Sequence, residues 1–207
     1  LSQAESWLKK SLELNAASYW DTYEILAYCY VAQGRKQEAL NLVTAMLQKV
    51  QADSRAHEIA GLMAHFAGDK LQARKYFQQS IEQNEAYKND PNTISPIGLG
   101  QILLEEGKNV EAEVYLSHAL EINLNEIENG SPDDDPPFYI AGIYAIRGQR
   151  EEALHWLKKA IEAHWIDYAQ VQHGPWFMKY RNDPDVLAQM ELLRNKTEAM
   201  RQRAEGM

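Results

Sequence analysis

The sequence has little cysteine, a deficit of positive charge and no long apolar run. A single cysteine, Cys29, excludes an internal disulfide framework and leaves the redox compartment, and hence cytoplasm or periplasm, undecided. The 207 residues carry 21 Lys and Arg against 30 Asp and Glu, a net charge of −9. This balance argues against binding of nucleic acid or anionic membranes. The longest uncharged stretch, 91–104, contains two prolines and two glycines and is too short to insert into a bilayer.

Signatures of catalysis and of cofactor binding are missing as well. The chain contains no Gly-x-Gly-x-x-Gly, phosphate-binding loop or Gly-x-Ser-x-Gly. Gly98 and Gly100 lie within a helical pattern, and we interpret them as positions where helices pack closely. His57 and His65 are eight residues apart, about 12 Å along a helix, which is too far for two ligands of one metal ion. We therefore predict no enzyme, no metal site and no cofactor.

Two further sequence features are interpreted as structural and not as functional sites. The run Asp133–Asp135 lacks the twelve-residue calcium loop with its central glycine and terminal glutamate, and prolines follow it. We expect a solvated loop or the start of a helix, where carboxylates complement the helix dipole. Cys29 lies between two tyrosines in a helical pattern, so we expect a buried, inert thiol.

The sequence repeats a turn followed by a helix. Each of four turns contains a glycine, then an alanine five residues later, then a larger apolar residue four residues after the alanine: Gly34, Ala39 and Val43; Gly68, Ala73 and Phe77; Gly107, Ala112 and Leu116; Gly148, Ala153 and Leu157. Ala4, Leu8 and Ser11 continue this register at the amino end. Glycine ends a helix cheaply in the left-handed conformation, and a small residue beside a bulky one lets two helices approach closely.

Amphipathic stretches precede each glycine. Apolar and small residues recur there at steps of three and four, as in Tyr23, Leu26, Ala27 and Tyr30. This spacing indicates a helix that is buried on one face. Each unit is therefore predicted to be a helix, a tight turn and a second helix.

These units resemble tetratricopeptide repeats, which are helix-turn-helix units of 34 residues. The segment 23–43 matches the family pattern of large-xx-Leu-small-xx-Tyr, Gly and Ala-xxx-Phe best. Every unit lacks the family's tryptophan, and most lack the proline after the second helix. The resemblance implies an all-α, right-handed superhelix whose stability is a sum of repeat and interface terms.

The repeat register gives provisional boundaries. We expect a partial repeat at 1–16, full repeats at about 20–53, 54–87, 93–126 and 134–167, and a capping tail at 165–207. Loops are predicted at 84–92 and around 123–136, where Asn, Asp, Gly and Pro cluster. The chain opens inside a helical pattern without a signal peptide, so we expect it to be part of a longer protein.

The tail has a different character. It contains Gly-Pro-Trp-Phe at 174–177 and Asn-Asp-Pro at 182–184, and a helix is predicted from about 184 to 204 with Asp183 as its N-cap. We expect the second helix of the last repeat to be covered by Trp165, Trp176, Phe177, Leu187 and Met190. The tail and the segment 136–145 resemble the region that closes the repeats of many bacterial signalling and transcription-regulatory proteins.

The resemblance implies a protein-interaction scaffold that binds a peptide or protein segment in its concave groove. A second class stays open, in which the module works within a larger bacterial signalling or transcription-regulatory protein, by self-association or by contact with other domains of its own chain. The first helices of the repeats would line this predicted groove with Asp21, Glu24, Tyr28, Glu58, Leu62, His65, Ile97, Gln101 and Phe138. Its acidic, aromatic and aliphatic character predicts a partner with apolar anchors and at least one Lys or Arg.

Overall fold

The computed structural model describes residues 2–14, 20–49 and 53–205, and every regular element in these ranges is helical. The all-α class predicted from the repeats is thus confirmed. The α-helices are α1 Ser2–Leu14, α2 Trp20–Ala32, α3 Lys36–Lys49, α4 Ser54–Ala67, α5 Lys70–Gln83, α6 Ile94–Glu105, α7 Asn109–Glu128, α8 Pro136–Arg147, α9 Arg150–Glu162, α10 Tyr168–His173 and α11 Pro184–Glu205. Short 3₁₀ segments occupy Tyr87–Asn89 and Met178–Tyr180.

The chain divides into two compact units, Leu1–Tyr115 and Leu116–Met207, and α7 runs across the division. The predicted repeat ends at residues 1, 15–16 and 50–52 lie outside the described ranges. Among the described helices, none is both long and apolar enough to cross a membrane.

The four predicted turns join α2 to α3, α4 to α5, α6 to α7 and α8 to α9. Their glycines have φ angles of 76°, 83°, 76° and 79°, the left-handed region in which a side chain is costly. At the second turn the Gly68 N–H donates to the His65 carbonyl at 3.0 Å, and the Asp69 N–H donates to the Ala64 carbonyl at 2.9 Å. The carboxylate of Asp69 then caps α5 by accepting from the Gln72 N–H at 3.1 Å.

Small residues allow close packing between the helices of the first unit. The Phe77 ring of α5 lies against Gly61 of α4 and Gly98 of α6, and a Cβ placed on Gly61 would come within 2.6 Å of the ring. Phe77 and the alanine of its repeat, Ala73, are fully buried. This contact explains why the sequence places glycines inside two helices, where they would otherwise weaken the helix.

Helix α1 follows the same register, but the residues at its register positions are not buried. Ala4 and Ser11 are exposed and Leu8 is half-buried, whereas the equivalent residues of the later repeats are buried. The helix is held instead by polar contacts, since Arg35 contacts the Glu5 carboxylate at 2.9 Å. Hydrogen bonds from Lys9, Gln33 and Arg35 lower the pKa of Glu5 to about 2.

Helix α7 is longer than predicted. The residues 123–136 were expected to form a loop, but α7 continues to Glu128, and the Asn123 Nδ2 is satisfied by the Ala119 carbonyl at 2.7 Å. Gly130, with a φ of 71°, ends the helix through the same kind of turn as in the hairpins. Most of the residues between the predicted repeats 93–126 and 134–167 that exceed the usual repeat length therefore lengthen α7.

The second unit is centred on Phe138 of α8. Its ring stacks on Trp165 at 3.9 Å between centroids and also contacts Trp176 at 5.6 Å and Phe177 at 6.0 Å. Trp176 approaches α8 so closely that a Cβ on Gly142 would lie 2.6 Å from its ring. Tail aromatics thus cover the first helix of the last repeat, not its second helix alone.

Helix α11 packs on α9 through a stripe that differs from the predicted one at one position. Met190 is buried as expected, but Leu187 is 51% exposed and Val186 takes its place, followed by Leu193. These three buried residues are four and three apart, the spacing of one helix face. The helix begins at Asp183, whose Oδ1 accepts from the Asp185 N–H at 2.9 Å while both of its oxygens bind Arg150.

Candidate protein-interaction surface

One exposed face of α2 carries the accessible part of the predicted groove. Asp21 is exposed, Ile25 is 53% exposed, and Tyr28 is half-buried. Their spacing of four and three residues places them on one side of the helix. The opposite side of α2 is buried through residues such as Tyr23 and Leu26. We call Asp21, Glu24, Ile25 and Tyr28 the α2 surface.

On its buried side, the Tyr28 ring packs against another aromatic ring. Its ring meets the buried ring of Phe66 edge to face, with 6.4 Å between centroids. Such contacts restrict the orientation of an aromatic ring and add to the free energy of burial. Tyr28 is therefore a partly exposed aromatic group on a rigid base.

An arginine behind the α2 surface neutralises part of its charge. The Arg55 guanidinium binds both oxygens of Glu24, at 2.8 and 3.1 Å, and also binds Glu58. The carbon of the same guanidinium lies 5.2 Å from the centre of the Trp20 ring. The two carboxylates and Arg55 together carry a formal charge of −1, and Asp21 adds another negative charge at the rim.

Glu58 is occupied within the fold. Its side chain is 5% exposed, and Oε1 accepts from Asn92 Nδ2 at 2.6 Å. Oε2 accepts from the Ser95 backbone N–H at 3.3 Å and from the Ser95 hydroxyl at 3.1 Å. This carboxylate therefore caps the amino end of α6 from the neighbouring helix, which complements the helix dipole.

For Glu58 and Glu24, burial changes the pKa more than the stabilising contacts do. Desolvation raises the pKa of Glu58, although Arg55, Asn92 and Ser95 each oppose that effect. The pKa of Glu24 is also raised by burial, against the attraction of Arg55. Both groups belong to a buried polar network, which rigidifies the junction of α2, α4 and α6.

The structure separates the nine predicted groove residues into two sets. Asp21, Glu24 and Tyr28 lie together on the α2 surface, where Glu24 is mostly covered. The other six side chains are at most 8% exposed and do not line an open surface: Glu58, Leu62, His65, Ile97, Gln101 and Phe138. Among the first helices, α4 and α6 are buried on all sides over most of their length.

His65 and His57 are packing residues. Burial lowers the pKa of His65 to about 3, so its imidazole is neutral, and its ring meets Phe77 edge to face at 6.0 Å. His57 bridges its own helix to α5, with Nδ1 3.0 Å from the Asp53 carbonyl and 2.8 Å from Gln83 Oε1. The expectation that His65 faces an open groove is therefore wrong.

Phe138 also departs from the expectation. It was predicted to line the groove and to meet an apolar anchor of the partner, but it is fully buried under the tail aromatics described above. An incoming segment would have to displace Trp165 to reach it. Its role is in the core of the second unit.

Known structures resemble the chain at the level of fold. The structure of MamA aligns with a TM-score of 0.46 and 20% identity over 76% of this chain and 84% of that one. YrrB, described as a tetratricopeptide repeat protein with an unusual peptide-binding site, aligns with a TM-score of 0.47 and 23% identity, over 78% of this chain and 77% of that one. A tetratricopeptide repeat protein from Parabacteroides merdae aligns with a TM-score of 0.47 and 18% identity, over 97% of this chain and 80% of that one. No protein-family model matches the chain, and no curated protein matches it.

Sequence reasoning missed two residues of this surface. Ile25 follows Asp21 by four residues and precedes Tyr28 by three, so helical spacing alone could have found it. Arg55 is three residues before Glu58, a spacing at which an ion pair forms on one helix. Its contact with Glu24 of α2 depends on the packing of two helices and left no signal in the sequence.

One further cluster of carboxylates lies among the described residues. The carboxylate oxygens of Asp133, Asp134 and Asp135 lie within 4.8 Å of one another. Burial, and then repulsion by Asp133 and Asp134, raises the pKa of Asp135 to about 6. The Asp135 backbone N–H donates to Asp133 Oδ1 at 3.1 Å, and Asp135 accepts from the Tyr139 hydroxyl at 3.4 Å. These contacts shape the turn that leads into α8.

Cys29 is buried, and burial raises the pKa of its thiol. The thiolate needed for nucleophilic chemistry is thereby disfavoured. This environment agrees with an inert thiol in the first unit.

Proposed function

We propose that this chain is a protein-interaction module that binds a segment of another protein against the α2 surface. The observation that carries the proposal is a partly exposed aromatic ring, Tyr28, beside an exposed isoleucine and an acidic rim on an otherwise buried helix. Aromatic anchors on rigid supports, surrounded by polar groups, are typical of binding hot spots.

The chemistry of the partner follows from the surface. Ile25 and Tyr28 favour apolar side chains, and Asp21 favours a Lys or Arg beside them. Glu24 contributes less charge than its sequence position suggests, because Arg55 holds both of its oxygens. The expected ligand is a segment with one or two apolar anchors and at least one basic residue.

The test uses a displayed library of random peptides selected on the intact chain. Selected peptides should combine apolar and basic residues, and Tyr28→Ala should weaken them by about 1–2 kcal/mol, or roughly five- to thirtyfold in Kd. Asp21→Lys should slow association and reduce its dependence on salt, because rim charges act on the encounter rate. Glu24 and Glu58 are left unchanged, since reversing either charge would break the Arg55 network.

A matched control is Leu71→Asp, which alters an 82% exposed apolar residue on α5. It should leave binding unchanged. Selected peptides that bind Tyr28→Ala and Asp21→Lys as tightly as the parent would show that the α2 surface is not the site. Circular dichroism of each variant checks that the helices are intact.

A second candidate role is that of a regulatory module within a larger bacterial signalling or transcription-regulatory protein. The resemblance of the tail to the closing region of such proteins supports it. In that role the α2 surface would be occupied by another domain of the same polypeptide. The peptide-binding assay above distinguishes the two roles when it is repeated on the chain joined to the domains that the same gene encodes. An internal partner would block binding of the selected peptides.

A further inference from the structure

An open groove of about 610 Å³ runs along the carboxyl half of α7. Its apolar lining comes from Leu120, Leu124 and Ile127, which are four and three residues apart and so share a face of the helix. Leu124 is 39% exposed and Ile127 is 38% exposed. Glu121, Glu128 and Arg147 also line it, and Arg147 donates to the Ser117 hydroxyl at 3.0 Å. We call the five lining residues Leu120, Glu121, Leu124, Ile127 and Glu128 the α7 groove.

The groove exists because α7 is longer than the other helices of the hairpins. It has 20 residues, whereas α8 and α9 have 12 and 13. A stripe of this spacing normally faces a core. Here Leu124 and Ile127 stay in contact with solvent beside charged residues, and apolar groups clustered within a polar rim are a feature of interaction surfaces.

The same unit carries a second exposed surface, at the carboxyl end of α11. The apolar stripe of α11 is buried up to Leu193, but Met200, seven residues further on, is 51% exposed. The last contacts with α9 include the Lys196 ammonium, which donates to the Ile161 carbonyl at 2.6 Å. Beyond it the side chain of Arg203 is exposed, and on the same helix Leu192 is 53% exposed. We call residues 194–205 the α11 end.

The two surfaces have opposite charge. Residues 117–128 contain three glutamates and neither Lys nor Arg, and the one basic residue that lines the groove, Arg147 of α8, leaves its charge negative. Among the described side chains of the α11 end, three are Lys or Arg and one is a glutamate. Opposed charges at a protein interface favour encounter and fix the register of the partners.

The two surfaces also agree in length and spacing. Each segment has twelve residues and spans about 18 Å as a helix. Glu121 and Glu128 are seven residues apart, as are Lys196 and Arg203, so each pair is separated by about 10 Å along its helix. With the helices antiparallel and the charges opposite each other, Leu124 falls opposite Met200.

We propose that the α7 groove receives the α11 end of a second copy of this chain. Met200 would enter between the apolar residues of the groove, and Arg203 would meet a glutamate at its edge. This is the helix-in-groove mode of recognition, with apolar anchors at helical spacing. When two copies exchange their α11 ends, every such surface is covered and the assembly closes as a dimer. The inference is independent of the α2 surface.

The experiment measures the mass of the intact chain by light scattering and sedimentation velocity at about 10–200 µM, the range for a weak dimer. The wild type should rise above the 23.7 kDa of one chain toward twice that mass. A groove variant, Glu121→Lys, and a helix variant, Arg203→Glu, reverse the two charges that this register places opposite each other, and each should weaken association by about tenfold or more. Lys196 is left unchanged, because it contacts the Ile161 carbonyl.

Mixing the two variants provides the sharpest test. Each alone places like charges face to face, but the reversed groove of one is complementary to the reversed α11 end of the other. The mixture should regain the mass that each variant has lost. The matched control, Glu111→Lys, makes the same change of charge on an exposed residue of the first unit and should associate as the wild type does.

Three results would overturn the proposal. The first is a wild type that stays at the mass of one chain throughout the concentration range. The second is association that neither variant weakens, and the third is a mixture of folded variants that fails to regain the lost mass. Association that depends on Tyr28 instead would assign self-contact to the α2 surface and equally exclude the α7 groove.

Discussion

Single residues set the distances between helices in the first unit, where Phe77 meets two glycines. Gly61 and Gly98 leave room for its ring, and neither position accepts a Cβ without movement of that ring. Protein interiors are close-packed, so the addition of one methyl group is felt as overpacking. The same principle applies to Gly142 beneath Trp176 in the second unit.

Gly98→Ala should destabilise the chain by about 1–3 kcal/mol, because the new methyl group would collide with Phe77. In a Phe77→Leu background the added cost should be smaller, since the side chain that causes the collision is gone. Urea unfolding followed by circular dichroism gives the four free energies of this double-mutant cycle. An equal cost in both backgrounds would contradict the packing account.

Asp135 should make stability fall as the pH rises. Burial, Asp133, Asp134 and Asp167 raise its pKa in the folded chain to about 6, against a hydrogen bond from Tyr139 that lowers it. Between about pH 4 and pH 6 the folded state therefore holds a proton that the unfolded state has lost, and the free energy of unfolding decreases as pH increases. Above about pH 7 the penalty is complete, and it is of the order of 2 kcal/mol once solvent screening of this partly exposed carboxyl is allowed for.

Asp135→Asn should remove that penalty and raise the melting temperature at pH 7. At pH 4, where the folded carboxyl is already protonated, the variant and the parent should melt together. Thermal melts at both pH values check this, and a gain of equal size at pH 4 would point to a cause other than ionisation.

Helices in this chain are tied by polar bridges as well as by apolar faces. Arg55 joins α2 to the start of α4, and Glu58 joins α4 to the start of α6, where it caps the helix. Ser95 extends the bridge to Ser80 of α5 through hydroxyls 2.9 Å apart. Such a network stabilises the fold when every member is satisfied and costs heavily when one is removed.

Arg55→Met should destabilise the chain by about 2–4 kcal/mol at pH 7, because it leaves the buried Glu58 carboxylate without its cation. The loss should shrink as the pH falls, since burial already raises the pKa of Glu58 and protonation removes the unpaired charge. The double variant Arg55→Met, Glu58→Gln serves as the control and should lose less stability than the single variant. Unfolding free energies at pH 7 and pH 5 decide the point, and a cost independent of pH would exclude an electrostatic origin.

In the molecule as a whole, the tail completes the second unit. Trp165, Trp176 and Phe177 are buried against Phe138, and α11 packs along α9. Terminal repeats need a cap that presents a polar outer face. We propose that residues 165–207 have this role.

Truncation of the chain at Ile166 should cause aggregation or lower the melting temperature by about 10 °C or more. It removes Trp176, Phe177 and α11, and so exposes Phe138 and the outer face of α9. The control is truncation after Thr197, which removes only the outer part of the α11 end and should leave the melting temperature nearly unchanged in dilute solution. A chain truncated at Ile166 that melts like the parent would show that the tail is not a cap.

The sequence by itself determined the all-α class, the four hairpin turns and the positions that pack within each repeat. These features are local, because a left-handed glycine and a small residue five positions later act on neighbouring turns of the chain. Asp183 at the start of α11 belongs to the same class, since a cap acts within three residues. The continuation of α7 past Asn123 was missed because Asn-rich segments also favour turns, and the Gly130 turn that ends the helix lies further on.

Only the tertiary structure decided which side chains reach solvent. Glu58 and Phe138 occupy positions on first helices that suggest a groove, yet one caps α6 and the other lies under Trp165. Both outcomes depend on partners more than 25 residues away in the chain, and no helical period carries that information. The α2 surface and the α7 groove likewise exist because no described side chain covers Ile25 or Leu124 fully, which is a property of the packed units and not of the repeat pattern.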